Sequence, residues 1–292
     1  MPRQVIGVIG ALSEDTIHIT RRSLAPGSTV PAKQTRELGG RAVNIAIAIS
    51  RCCRKKPNTS DGLLPEDHVD DDDEVPEVRM VGAVVSDERK AEFSKLLRQN
   101  GVDPSGVEVV EGEETEQDNL TSIFESKVAR SQQLNSAGVS QNWTKEHFDK
   151  IEKLGGGMRP DLLVVTMELS RDVIEHIVDH AHEEGVDVLV YASPGAVLLA
   201  DHYRKIEHLI GSEGDVAVIL GYEQHELKDE QGDLRVEVCP EMCKALYSHK
   251  RFKNVVIKSG YYGAFFKNEE EEDGFASGYQ NKNDVTDSSG ST

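Results

Sequence analysis

Gly39 and Gly40 stand directly before Arg41 and an apolar run, AVNIAIAI, in which Asn44 is the one polar residue. Two consecutive glycines permit a tight turn, and ahead of a helix they leave backbone N–H groups free to meet a polar ligand. An amide inside an apolar element needs a partner, either a backbone group or a ligand hydroxyl. Simple punctuation of the chain by glycine accounts for the pair equally well. Asp15, at a turn or strand end, and Glu168, two residues before a potential helix cap at Ser170, are carboxylates open to either a structural or a binding role. The four cysteines, Cys52, Cys53, Cys239 and Cys243, lack a His at zinc-ligand spacing, so no metal site is expected and free thiols are.

The elements that must position these residues are read from periodicity. QVIGVIGAL (4–12), VRMVGAV (78–84), DLLVVTM (161–167), DVLVYA (187–192), DVAVIL (215–220) and NVVIKSG (254–260) are short, Val- and Ile-rich runs expected as strands covered on both faces. Helices are expected over 86–101, capped by Ser86 and ended by Gly101, and over 170–185, where Val173, Ile174, Ile177, Val178 and Ala181 form an apolar stripe. Strands alternating with helices imply βαβ units and a mostly parallel sheet. Residues 41–50 are apolar all round, which fits a buried helix or a central strand. Polar alternation within 13–37 and 104–142 predicts a separate antiparallel sheet with one exposed face. Residues 55–77 combine Pro, Gly, Ser and an acidic block and are expected to be a disordered insertion. The EEEED run at 269–273 is expected as a solvated loop, and Gly155–Gly157 as a flexible connection.

Composition bounds the function. With 52 acidic and 33 basic residues among 292, the net charge is −19. Such a surface repels phosphate backbones and anionic lipid, so neither nucleic acid nor a membrane is expected as a partner, whereas a local nest of N–H groups still suits a small anion. No run approaches the ~18 apolar residues that span a bilayer. A cytoplasmic protein is the expectation.

LAPGSTVPAKQTRELGGRAVNIAIAISR resembles the N-terminal signature of the ribokinase, or PfkB-type, carbohydrate kinases: a PG-x-T hairpin, Gly-Gly-Lys, an Asn and an Ala-rich helix. RMVGAVVSDERKAEFSKLLRQNGVDPSGV is similar to the family's G-x-x-G-x-D…G-V-D segment, and PDLLVVTMELSRDVIEHIVDHAHEEGVDVLVYASPG to its strand–Glu–helix–strand unit. VILGYEQHEL falls at the family's Asn-x-x-Glu, VVIKSGYYGAFF at its T-x-G-x-x-G, and DVTDSSGST at the opening of its D-T-x-G-A-G-D. The resemblance implies an α/β three-layer sandwich, one ribokinase-like domain over 1–292, with a mostly parallel sheet flanked by helices and a small β lid. It implies ATP-dependent phosphorylation of a sugar hydroxymethyl group. Asp15, Gly39, Gly40, Asn44 and Glu168 would bind the sugar. Glu223, Glu226, Lys258, Gly260 and Gly263 would serve ATP and Mg2+, and Asp287 and Ser289 a monovalent cation, K+. Carboxylates and an amide suit vicinal hydroxyls, and glycines let backbone approach them.

The chain also departs from the pattern. Arg41 stands for the lysine, Glu223 for the asparagine of Asn-x-x-Glu and Lys258 for the threonine of T-x-G, and no asparagine lies near Tyr191. The base of the family's reaction, the last Asp of G-A-G-D, would fall one place after Thr292, with the closing part of the fold beyond it. The resulting expectation is a weakly active or inactive carbohydrate kinase that covers its open face by association, as in a homodimer. The alternative is a non-enzymatic sugar-binding or interaction protein.

Overall fold

A computed structural model describes residues 3–20, 29, 31–54, 75–110, 118–125, 128–135, 139–193, 195–222, 237–250, 252–268 and 274–277. They form two compact units, the first running to Trp143 with Gly155–Gly157, the second made of Thr144–Leu154 and the described residues from Met158 onward.

The first unit carries β1 (Val5–Ile9), β2 (Ser13–Thr20), β3 (Ala32–Gly39), α1 (Arg41–Cys53), β4 (Glu77–Val84), α2 (Asp87–Gln99), β5 (Asp103–Val109), β6 (Asp118–Glu125) and β7 (Val128–Asn135). β1, β4 and β5 are consecutive parallel strands. Val8, Ile9, Met80, Ala83 and Val84 are fully buried, as the continuous apolar runs require. A second sheet has the order β3-β2-β6-β7. Its β2–β3 and β6–β7 pairs are antiparallel and its β2–β6 pair is parallel. Residues 104–109, expected within the small sheet, belong instead to β5, which pairs parallel with β4. The ambiguous run at 41–50 is helical: Ala42, Val43, Ala46 and Ser50 share the buried face, a 3–4 spacing that a strand cannot give. Ser50 Oγ closes that face by donating to the Asn100 carbonyl over 2.8 Å. The expected insertion at 55–77 lies outside the described residues up to 74, and Glu77 already opens β4.

The glycines at 155–157 are tied down. Arg79, a buried residue of β4, donates from Nε to the Gly155 carbonyl and from Nη2 to the Gly156 carbonyl, each at 2.8 Å. A Cβ on Gly106 would come within 2.8 Å of Gly156 Cα, so the turn packs backbone against backbone.

The second unit carries α3 (Ile151–Leu154), β8 (Leu162–Thr166), α4 (Arg171–Glu183), β9 (Asp187–Tyr191), β10 (His208–Ser212), α5 (Glu213–Leu220), α6 (Val238–Lys250), β11 (Asn254–Lys258), β12 (Gly263–Lys267) and β13 (Gly274–Ser277). β8, β9, β10 and β11 are parallel neighbours in that order, and β12 and β13 continue antiparallel. The expected stripe on α4 is buried as Val173, Ile174, Ile177, Val178 and Ala181. The expected strand at 215–220 is instead α5. Ser212 and Asp215 form a reciprocal capping box, and Gly221 closes the helix in the left-handed conformation at φ 79°. The strand is the preceding HLIGS, whose His and Gly mask its character in the sequence.

Candidate functional site

In the first unit, β2 and β3 bring Asp15 to the glycine pair. The register sets Ser13 opposite Gly39 and Asp15 opposite Glu37, so Ser13, Asp15 and Gly39 lie on one face. Ser13 Oγ donates to Asp15 Oδ1 over 3.0 Å. A Cβ on Gly39 would stand 3.0 Å from Asp15 Oδ2. Only a residue without a side chain leaves that carboxylate where it is.

Gly40 is the N-cap of α1, at φ 103° and ψ 150°, a region that only glycine enters cheaply. A Cβ there would also meet the Ala11 carbonyl oxygen at 2.8 Å and the Ser13 nitrogen at 3.0 Å. The glycine therefore lets the start of α1 sit directly against the β1–β2 connection. The Asn44 N–H donates to the Gly40 carbonyl over 3.0 Å, the first turn of the helix. Contrary to the burial inferred from its apolar neighbours, the Asn44 side chain is exposed: the helix turns it away from the face carrying Val43 and Ala46. Asp15, Gly39, Gly40 and the first turn of α1 thus converge. The carboxylate supplies acceptors, the helix start supplies backbone N–H donors, and no Cβ intervenes. Ser13, unassigned from sequence, belongs to this group.

In the second unit, Glu168 lies in the turn after β8, half-buried, and Thr166 Oγ1 donates to its Oε2 over 2.9 Å. Lys258 closes β11 opposite Ser212, which closes β10, and Tyr191 closes β9 opposite Ile210. The Lys258 ammonium donates to the Tyr191 hydroxyl and lies 4.6 Å from the centre of its ring. The Ser212 N–H and Oγ donate to Asp215 Oδ2 at 3.0 and 2.7 Å. Burial pushes the adjacent Glu213 carboxyl above the ordinary carboxylate range, with Asp215 adding to the effect and Lys258 opposing it. Gly260 and Gly263 bracket a short turn at φ 54° and 121°. The carboxyl ends of three neighbouring parallel strands therefore present Tyr191, Glu213 and Lys258 together, the place where open α/β sheets hold ligands. Glu213 was hidden by reading the following helix as a strand. The Ser-x-x-Asp of its capping box was the available signal. Glu223, Glu226, Asp287 and Ser289 lie outside the described residues.

Among the described residues no group of three or more metal-ligating side chains is gathered, and no described helix is long and apolar enough to cross a membrane.

The pfkB family carbohydrate kinase pattern matches residues 4–291. A ribokinase of Schizosaccharomyces pombe is 24% identical over 290 residues, covering 98% of this chain and 82% of that protein. Among solved structures, the ribokinase of Cryptococcus neoformans in complex with ADP superposes with a TM-score of 0.66 at 16% identity, over 95% of this chain and 79% of that one. The Arabidopsis thaliana ribokinase complexed with ribose and ATP gives 0.64 at 14% identity, over 95% and 78%. These likenesses establish the ribokinase-like fold, and the match along nearly the whole length establishes the kinship: the chain belongs to the pfkB family of carbohydrate kinases.

Proposed function

We propose that this protein binds a small sugar through Asp15, Gly39, Gly40 and Asn44, with Glu168 as a further sugar ligand, and phosphorylates its hydroxymethyl group from ATP. The observation that carries this reading is the Asp15 carboxylate held over a side-chain-free glycine pair at the start of α1. A carboxylate accepts from hydroxyl groups, and the helix start donates to their oxygens. The S. pombe relative is named a ribokinase and the plant structure holds ribose and ATP, so ribose is the first sugar to test. Lys258, Gly260 and Gly263 are the described residues proposed for the nucleotide phosphates, joined by Glu213. Mg2+ binds such sites through one or two carboxylates plus the phosphates themselves. It would therefore arrive with ATP, and Glu213 is the described carboxylate available to it. K+ at Asp287 and Ser289 belongs to the same proposal. The transfer moves the terminal phosphoryl group of ATP to the hydroxymethyl oxygen and the hydroxyl proton to a base. We assign no described residue to that last role.

A second reading, a sugar-binding protein with little turnover, is favoured by one specific feature. Lys258 is already engaged by Tyr191, and Glu213 places a carboxylate beside it where a polyphosphate would have to enter. The test is ADP release with Mg-ATP and a panel of pentoses and hexoses, paired with calorimetric titration of the same sugars. The main reading expects sugar-dependent ADP release and a sugar monophosphate. The second expects sugar binding with little release. Neither release nor binding with any sugar contradicts both.

A further inference from the structure

We infer that the Glu14–Arg89 ion pair is a positioning device for the sugar site, fixing strand β2 against helix α2 so that Asp15 stays over Gly39. The inference rests on the sugar-binding reading above.

Successive residues of a strand point to opposite faces. Asp15 points to the glycine pair, and Glu14 points the other way, towards α2. The Glu14 side chain is only 9% exposed, and its Oε2 lies 2.5 Å from Arg89 Nη2. Its other oxygen, Oε1, is 3.9 Å from Arg36 Nη1, on a guanidinium that is largely in solvent. A carboxylate so deeply covered needs a partner, and Arg89 is the close one.

Arg89 occupies the first turn of α2, where the helix dipole disfavours a cation. Within the helix Arg89 pairs with Glu92, and its second nitrogen reaches out of the helix to Glu14. The residue is well anchored. Its N–H donates to the capping Ser86 Oγ over 3.3 Å, and its Nη1 pairs with Glu92 Oε2 at 2.8 Å. α2 is itself fixed to the unit's core by the buried Phe93 and Leu97.

Between β2–β3 and α2 lies a groove of about 410 Å3, with Glu14, Arg36, Glu37, Leu38, Arg89 and Glu92 among its lining residues. The ion pair bridges the open groove. Position therefore passes from the core through α2 and Arg89 to Glu14, and across one peptide unit to Asp15. Release of β2 would shift a carboxylate that is placed over Gly39 and held there by the Ser13 hydroxyl at 3.0 Å.

The experiment is calorimetric titration of D-ribose and, separately, ATP into the wild type, Glu14→Gln, Arg89→Gln, the double variant and Arg89→Lys. Thermal unfolding of each protein is recorded alongside. Each single glutamine variant is expected to weaken ribose binding about tenfold, the scale of a small misplacement of a binding group. The double variant should be no weaker than either single, because one interaction is removed in all three. Arg89→Lys, which keeps the charge, should lie between wild type and Arg89→Gln, and ATP binding should be unchanged in all. Ribose affinity equal to wild type in both singles, with only the melting temperature lowered, would show a merely structural pair and overturn the inference. Additive losses in the double variant would overturn it too. Wild-type ribose binding that Asp15→Ala abolishes verifies the sugar-binding reading independently. A wild type that binds no pentose or hexose overturns both.

Discussion

Asp15 Oδ2 lies 3.0 Å from the place where a Cβ on Gly39 would stand, while the neighbouring Gly40 is locked by its own backbone at φ 103°. The two glycines therefore do different work although the sequence presents them as a pair. The first makes room for a functional group, and the second makes room for the chain.

Gly39→Ala should separate the two roles. The obstruction is the end of the Asp15 side chain, which can swing aside, so the fold should survive and sugar affinity should fall. Gly40→Ala meets main-chain atoms and an unfavourable φ together. It should destabilise the protein by about 1–3 kcal/mol. Urea unfolding of both variants, with sugar titration of the folded Gly39→Ala protein, checks the pair.

At the strand ends of the second unit, Lys258→Met should weaken ATP binding about tenfold or more, as loss of a charge-assisted hydrogen bond does. Tyr191→Phe removes only the hydroxyl that holds the ammonium, so ATP should bind at least as well as to wild type. Titration of ATP and its Mg2+ complex distinguishes a lysine that meets phosphate from one that serves only Tyr191.

Acid should expose a further dependence. Burial works against the charge on Glu175, but the Leu199 N–H, Arg171 and His202 outweigh it and hold the carboxyl below the ordinary range. Burial likewise opposes the charge on Asp179, and Lys205 and His202 overcome it. A depressed folded value means stability that is fully present above the unfolded value, about 4.3 for Glu and 3.9 for Asp, and is lost as the pH falls through the folded one. Urea unfolding of wild type and Glu175→Gln should therefore differ most near neutrality and converge as the pH falls below about 4.

The thiols should divide by burial. Cys52 and Cys53 are exposed at the end of α1, while Cys239 and Cys243 are buried on α6. Burial also pushes the Cys239 thiol up, against the pull of its contact with Ser259. Iodoacetamide on the native protein should modify Cys52 and Cys53 and spare the other two until denaturant is added. Mass spectrometry of the labelled peptides reads the result.

Much of the fold was legible because burial on both faces writes itself as continuous Val and Ile runs, as at 78–84 and 161–167. It was illegible where a short apolar run suits two structures. Residues 215–220 read as a strand, yet a cap four residues before Val216 and a glycine at 221 make them a helix. Residues 103–109 alternate in polarity, yet they pair parallel with β4, and Gly106 lets the Gly155–Gly157 turn pack against them. At the site, glycine, aspartate and helix start could be named from sequence, but the Glu14–Arg89 pair could not. Its partners are 75 residues apart, and only the register of β2 turns Glu14 towards α2.

The most direct measurement is calorimetric titration of ribose and related pentoses into wild type and Asp15→Ala. Binding by wild type and a loss of about 100-fold or more in the variant is predicted, since charged hydrogen bonds of about 1.5–3 kcal/mol each are removed. Equal affinities in the two proteins would contradict the account.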